Sequence, residues 1–165
     1  MQTTTRLRQI EHKIASLERL QNLVAGWRVK GQKIVFTNGC FDLLHRGHVQ
    51  LLAEAAQAGD KLVVGLNTDQ SVQRLKGAGR PLTDQDARAL VMAAQTFTDA
   101  VVLFDQDTPA ELIEAIRPDV LVKGGDYTID TIVGHELVQS YGGQVLVIPT
   151  VQGYSTTGTI ARMNG

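Results

Sequence analysis

Five short apolar runs constrain this chain more than anything else in it. They are Ile34-Val35-Phe36, Lys61-Leu62-Val63-Val64-Gly65-Leu66, Ala100-Val101-Val102-Leu103-Phe104, Val120-Leu121-Val122-Lys123 and Gln144-Val145-Leu146-Val147-Ile148. None shows the in-out alternation of a sheet with one wet face, so each reads as a strand buried on both sides. Stretches with helical spacing and helical start and stop signals separate them. Strands that alternate with helices pair in parallel through right-handed crossovers, which predicts an α/β, doubly wound, five-stranded parallel sheet. In such a sheet a ligand sits beyond the carboxyl ends of the strands.

The connecting helices carry their own punctuation. Asn67 and Thr68 open a short helix to about Leu75, and Thr83 or Asp84 caps one running through Ala94. Thr108-Pro109 starts the next, with Thr108 as cap and proline at the first helical position. A helix is expected over about 131–141, ending at Gly142-Gly143, and a last short one from Ser155 or Thr156. Before the first strand, Leu7, Ile10, Ile14, Leu17, Leu20, Leu23, Val24 and Trp27 recur near helical spacing. This is one amphipathic helix, or two if the chain breaks and Ser16 caps the second. Residues 1–5 are polar and expected to be loose. The division that follows is an N-terminal helical arm, 1–30, and an α/β domain, 31–165. The a/d-like spacing of Leu7, Ile10, Ile14 and Leu17 allows a homodimer contact, while docking on the chain's own domain is the simpler expectation.

Charge and cysteine narrow the partners. A formal charge of -1 gives no polycationic surface, so no nucleic acid partner is expected. The single cysteine, Cys40, forms no internal disulfide, and the N-terminus carries neither a leader nor a long apolar run. A cytoplasmic chain with small-molecule substrates and no membrane is expected.

The chemistry concentrates after the first strand, in Thr37-Asn38-Gly39-Cys40-Phe41-Asp42-Leu43-Leu44-His45-Arg46-Gly47-His48. A strand-to-helix turn leaves the first amides of the helix pointing outward at its positive end, which suits phosphate. Gly39 and Gly47 let backbone approach a ligand. His45 and His48, three apart, fall on one side of the first helical turn and offer ring donors to a phosphoryl group. On residue types alone, Cys40, Asp42, His45 and His48 also spell a transition-metal site. That alternative is weakened by the place of Cys40 in the turn and by the lack of a second ligand cluster. Asp42 is expected to cap the helix. His12 and His135 lie outside every motif. Read singly, Lys76, Arg80 and Arg88 are solvated surface charges. Lys123-Gly124-Gly125-Asp126-Tyr127 is a glycine turn after a strand, and Ser155-Thr156-Thr157 a helix cap.

The stretch ending His45-Arg46-Gly47-His48 resembles the His-x-Gly-His signature of nucleotidyltransferases related to class I aminoacyl-tRNA synthetases, and within them the heptose 1-phosphate adenylyltransferases. Leu75-Lys76-Gly77 with Arg80-Pro81-Leu82, Val122 to Tyr127, and Gly153-Tyr154-Ser155-Thr156-Thr157 carry the likeness on toward the C-terminus. The resemblance implies a Rossmann-like nucleotidyltransferase fold with strand order 3-2-1-4-5. It also implies transfer of AMP from ATP to D-glycero-β-D-manno-heptose 1-phosphate, with ADP-heptose for the lipopolysaccharide inner core and pyrophosphate as products. Mg²⁺ would be held mainly by the phosphates of ATP. By resemblance His45, His48, Lys76 and Arg88 are the catalytic residues. Asn38, Gly39, Cys40, Phe41, Gly47, Lys123, Gly124, Asp126, Tyr127, Ser155, Thr156 and Thr157 would bind the nucleotide. The loop over 76–81 would close on it. Relatives often carry a sugar kinase domain upstream. With only a helical arm in that position here, a separate kinase and phosphatase are expected to supply the substrate. Glycerol 3-phosphate cytidylyltransferases place an arginine where this chain has Thr150, which weakens that sister reading. A nucleotide-binding module without turnover is the rival from another class.

Overall fold

A computed structural model describes residues 5–165. Thr5, expected to be loose, caps the first helix by accepting from the Arg8 amide at 3.3 Å, and the rest of that expectation lies outside the described residues. The sheet is parallel, five-stranded and ordered β3-β2-β1-β4-β5, with β1 at Ile34–Gly39, β2 at Lys61–Asn67, β3 at Ala100–Phe104, β4 at Val120–Gly124 and β5 at Gln144–Ile148. This is the order and class expected.

Strand pleat divides the core in two. Ile34 and Phe36 of β1 point to one face, where they meet Leu20 and Val24 of α2 (Leu17–Val29), Leu112, Ile113 and Ile116 of α6 (Ala110–Ile116), and Val138 of α7 (His135–Ser140). Val35 points to the other, against Leu52 and Ala55 of α3 (Arg46–Ala56) and Ala89, Met92 and Ala93 of α5 (Gln85–Ala93). Every strand end that carries a motif therefore opens between two helical layers.

Two stretches depart from the expected pattern. The helix expected over 131–141 is a single 3-10 turn, Ile129–Thr131, followed by α7. Gly134 separates them at φ +89, a left-handed conformation that breaks the helix and turns Ile132 into the core. A Cβ there would fall 2.7 Å from Ile113 Cδ1, so glycine is required twice over. Thr108 makes no cap bond; α6 begins after Pro109 without one.

At the N-terminus the chain does break, and Ser16 caps α2 by accepting from the Arg19 amide at 3.3 Å. Between α1 (Arg6–Glu11) and α2, the Val101 amide donates to the Lys13 carbonyl and the Ala15 amide to the Val101 carbonyl, each at 2.8 Å. Ile14 thus forms a parallel bridge on the outer edge of β3. Ile10 and Ile14 pack on the core beneath α5, whereas Leu7 and Leu17 stay exposed, so the four positions do not form one helical stripe.

Candidate active site

The turn after β1 is wound unusually tightly. Phe41 and Leu43 adopt left-handed φ angles of +46 and +51, which cost a residue with a Cβ roughly 1–2 kcal/mol each. Such strain persists only where the surroundings dictate it. Arg88 donates to the Cys40 carbonyl at 2.7 Å, and Thr156 Oγ1 donates to the Asp42 carbonyl at 2.8 Å. The Asp42 carboxylate, buried at 1% exposure, accepts from Leu82 N at 2.8 Å, Thr83 N at 3.1 Å and Arg80 Nε at 3.0 Å. Burial alone would raise its pKa. The two amides and the guanidinium overcome that and hold the carboxyl below its ordinary value.

Two expectations are corrected here. Asp42 does not cap α3; its oxygens are turned back to pin residues 80–83, and the cap is His45. Arg88 does not reach the cavity. Its guanidinium is 1% exposed and occupied by the carbonyls of Thr83, Cys40 and Asn67 and by the Asp69 carboxylate at 2.7 Å. A buried cation needs such acceptors, and four of its five N–H donors are spent on these, which commits the side chain to the turn and away from the cavity.

His45 and His48 stack, with ring centroids 3.8 Å apart and planes 22° from parallel. The Gly47 amide donates to His45 Nδ1 at 3.1 Å, so the neutral ring carries its proton on Nε2. A Cβ at Gly47 would stand 2.9 Å from His45 Cε1, which explains the glycine between the histidines. Burial, reinforced by the neighbouring His45, pushes His48 from 6.5 down to about 4, and burial also lowers His45. Both rings are therefore neutral at pH 7 and act as hydrogen-bond donors, not as cations. His48 Nδ1 is buried with no partner among the described residues, leaving Nε2 as the nitrogen available to the cavity. The α3 amides contribute less than expected, since Gly47 and His48 donate theirs to the ring and carbonyl of His45.

Around this pair lies an open cavity of about 630 Å³. Of the expected residues it is lined by Asn38, Gly39, Cys40, Phe41, His45, Gly47, His48, Lys76, Lys123, Gly124, Tyr127, Ser155, Thr156 and Thr157. Asp126 is exposed and lies off the lining, as the chain swings away at Gly125, φ +128. Ser155 Oγ caps α8 (Thr156–Met163), accepting from the Gly158 amide at 3.0 Å, so capping and lining coexist. Burial, with Lys76 nearby, pushes the Lys123 ammonium below its ordinary pKa, and burial raises the Cys40 thiol.

Sequence reasoning missed Asp107, Thr108 and Pro109 after β3, and Thr131, Ile132 and Val133 at the end of the 3-10 turn and just beyond it, all of which line the cavity. They carry no motif. The available signal was position, since each follows the carboxyl end of a strand. For a divalent ion, no group of three His, Cys, Asp or Glu side chains gathers among the described residues. Asp42 is consumed by its latch and Asp107 Oδ1 by Arg74, so the cavity offers Mg²⁺ no carboxylate cage of its own.

Comparison with known proteins completes the picture. Residues 36–162 match the model of a family described as cytidylyltransferase-like. The chain is 58% identical over 154 residues to the "Bifunctional protein HldE" of Caulobacter vibrioides, covering 93% of this chain and 32% of that protein. It is 57% identical over 155 residues to the protein of the same name from Paramagnetospirillum magneticum, covering 94% and 32%. The chain thus spans about a third of the length of these relatives. In three dimensions it resembles the lipopolysaccharide core biosynthesis protein from Thermoplasma volcanium, with TM-score 0.60, 24% identity, and coverage of 76% of this chain and 100% of that one. It also resembles a pantoate-beta-alanine ligase from Francisella tularensis, with TM-score 0.62, 16% identity, and coverage of 84% and 67%. At these identities the two structures bear on the fold alone.

Proposed function

We propose, from the premise that this chain belongs to the cytidylyltransferase-like family, that it transfers AMP from ATP to D-glycero-β-D-manno-heptose 1-phosphate, releasing pyrophosphate and ADP-heptose for lipopolysaccharide inner-core synthesis. An oxygen of the acceptor phosphate attacks the α-phosphorus of ATP, and the bond from that phosphorus to the pyrophosphate oxygen breaks in line. Negative charge moves onto the leaving pyrophosphate. Such a reaction asks for alignment and fixed donors and needs no protein nucleophile.

The observation that carries the reading is the neutral His45–His48 stack, whose free ring donors share one cavity with Lys76, Lys123 and the start of α8. His45 and His48 donate to the α-phosphate and leaving group. Lys76 and Lys123 offset the charge of two anions brought together. Asn38, Gly39, Phe41 and Gly124 supply close backbone for the nucleotide, and Tyr127 a flat face. Mg²⁺, held mainly by the phosphates of ATP since no carboxylate cage for it gathers among the described residues, would neutralise part of their charge. The chemistry belongs to residues 31–165, with 1–30 as an N-terminal arm of which residues 5–30 pack on that domain, and the cytoplasm, where ATP is made, is the compartment. Resemblance of the motifs to heptose 1-phosphate adenylyltransferases supports the acceptor, and Thr150, where glycerol 3-phosphate cytidylyltransferases carry arginine, weakens that sister reading.

Pyrophosphate release with ATP, CTP or GTP against heptose 1-phosphate or glycerol 3-phosphate tests this. Release is expected with ATP and heptose 1-phosphate. Preference for CTP and glycerol 3-phosphate would move the chain to the sister enzyme, and nucleotide binding without release would make it a sensor.

A further inference from the structure

The two long walls of the cavity differ in chemistry. On the α3 and α5 side stand His45, His48 and the start of α8, tied to the catalytic turn through Thr156. The opposite wall is built from the segments that lead into α6 and α7, and its lining groups there include Asp107, Thr108, Pro109 and Val133. It presents a carboxylate, a hydroxyl and apolar surface, and no cation. With its one carboxylate paired to Arg74, such a wall offers a phosphate no cation of its own, whereas it offers a neutral polyol polar partners and apolar surface.

Asp107 stands at the exposed rim of that wall, its side chain 67% exposed and paired with Arg74. Arg74 Nε donates to its Oδ1 at 2.9 Å, and the same guanidinium bonds the Asp105 carbonyl. The other oxygen, Oδ2, has no hydrogen-bond partner among the described residues. A rim carboxylate with one oxygen left over is an acceptor for a sugar hydroxyl.

Building on the sugar phosphate reading above, we infer that this wall is the subsite for the carbohydrate part of the acceptor. Asp107 Oδ2 accepts from a ring or side-chain hydroxyl, and Thr108 makes a second polar contact. Pro109 and Val133 lie along the C–H face of the sugar. The acceptor phosphate is thereby directed across the cavity toward the histidines, with Lys76 and Lys123 between.

The test is steady-state pyrophosphate release by the full chain, varying heptose 1-phosphate and ATP separately, for the wild type, Asp107→Ala and Thr108→Val. An uncharged methyl heptoside serves as a competitor. KM for heptose 1-phosphate should rise by about tenfold in Asp107→Ala, the cost of a lost charge-assisted hydrogen bond, with KM for ATP changed less than about twofold. Inhibition by the methyl heptoside should weaken in step, a readout that general damage to the fold would not single out. An unchanged sugar KM in both variants, or an ATP KM that rises in parallel, overturns the subsite while leaving the adenylyltransferase reading intact. A wild type that releases no pyrophosphate from heptose 1-phosphate removes the reading and the subsite with it.

Discussion

His45 and Arg88 show how residues from two motifs divide the labour. Replacing His45 or His48 by alanine removes a donor aimed at the reaction and is expected to lower turnover by about 10²–10³, and His45→Ala, which also removes the α3 cap, should lower the thermal midpoint by a few degrees. Arg88→Met strands the carbonyls of Cys40, Asn67 and Thr83 and is expected to cost about 3–5 kcal/mol in a denaturant titration, with activity lost in proportion to folded protein. An Arg88→Met variant of normal stability and poor turnover would return that residue to the reacting centre. The histidines also set an acid limit. The unfolded His48 imidazole takes up a proton near 6.5 and the folded one only near about 4, so between these values the unfolded state binds more protons. Stability is therefore full above 6.5 and falls as pH drops through the window. Asp42 adds a further loss at lower pH, as its depressed carboxyl is protonated. Denaturant midpoints from pH 7 to pH 4.5 should fall less steeply for His48→Gln than for the wild type.

At the scale of elements, the loop after α4 (Asp69–Lys76) is fastened at one end and free in the middle. Asp42 grips Arg80, Leu82 and Thr83, while Gly77 and Gly79 take φ angles of +97 and +89 with open space around them. Bound ATP is expected to slow tryptic nicking after Lys76 several-fold, as Lys76 closes on phosphate; the Arg80–Pro81 bond resists trypsin in either state. Equal nicking rates with and without ATP would leave the loop open during turnover. The strands and most helix starts were legible in the chain because burial on both faces writes a continuous apolar run and caps are local. Ser16, Asp84 and Ser155 all sit where their side chains suggested. The break at Gly134 was not legible, since it serves a contact with Ile113 from a distant helix. Likewise the histidine pair stood out by spacing, but nothing local in Asp42 or Arg88 tells that their partners lie across the turn.

For the whole molecule, the arm is part of the sheet's construction. Deleting residues 1–15 removes the Ile14 bridge and uncovers the apolar surface under Ile10 and Ile14. Light scattering should report the same oligomeric state as the full chain, and the thermal midpoint should fall by several degrees. A change of state would instead assign the arm to a dimer contact. Among the described residues no helix is long and apolar enough to cross a membrane. The bridge at Val101 has one more consequence. An open sheet normally has two margins where a foreign strand can hydrogen-bond, and growth from both gives fibres. Here Ala15 and Lys13 already satisfy the Val101 carbonyl and amide on one margin, so a strand approaching β3 must first displace the arm, whereas β5 carries no such bridge among the described residues. Two copies would therefore meet more readily at β5 than at β3.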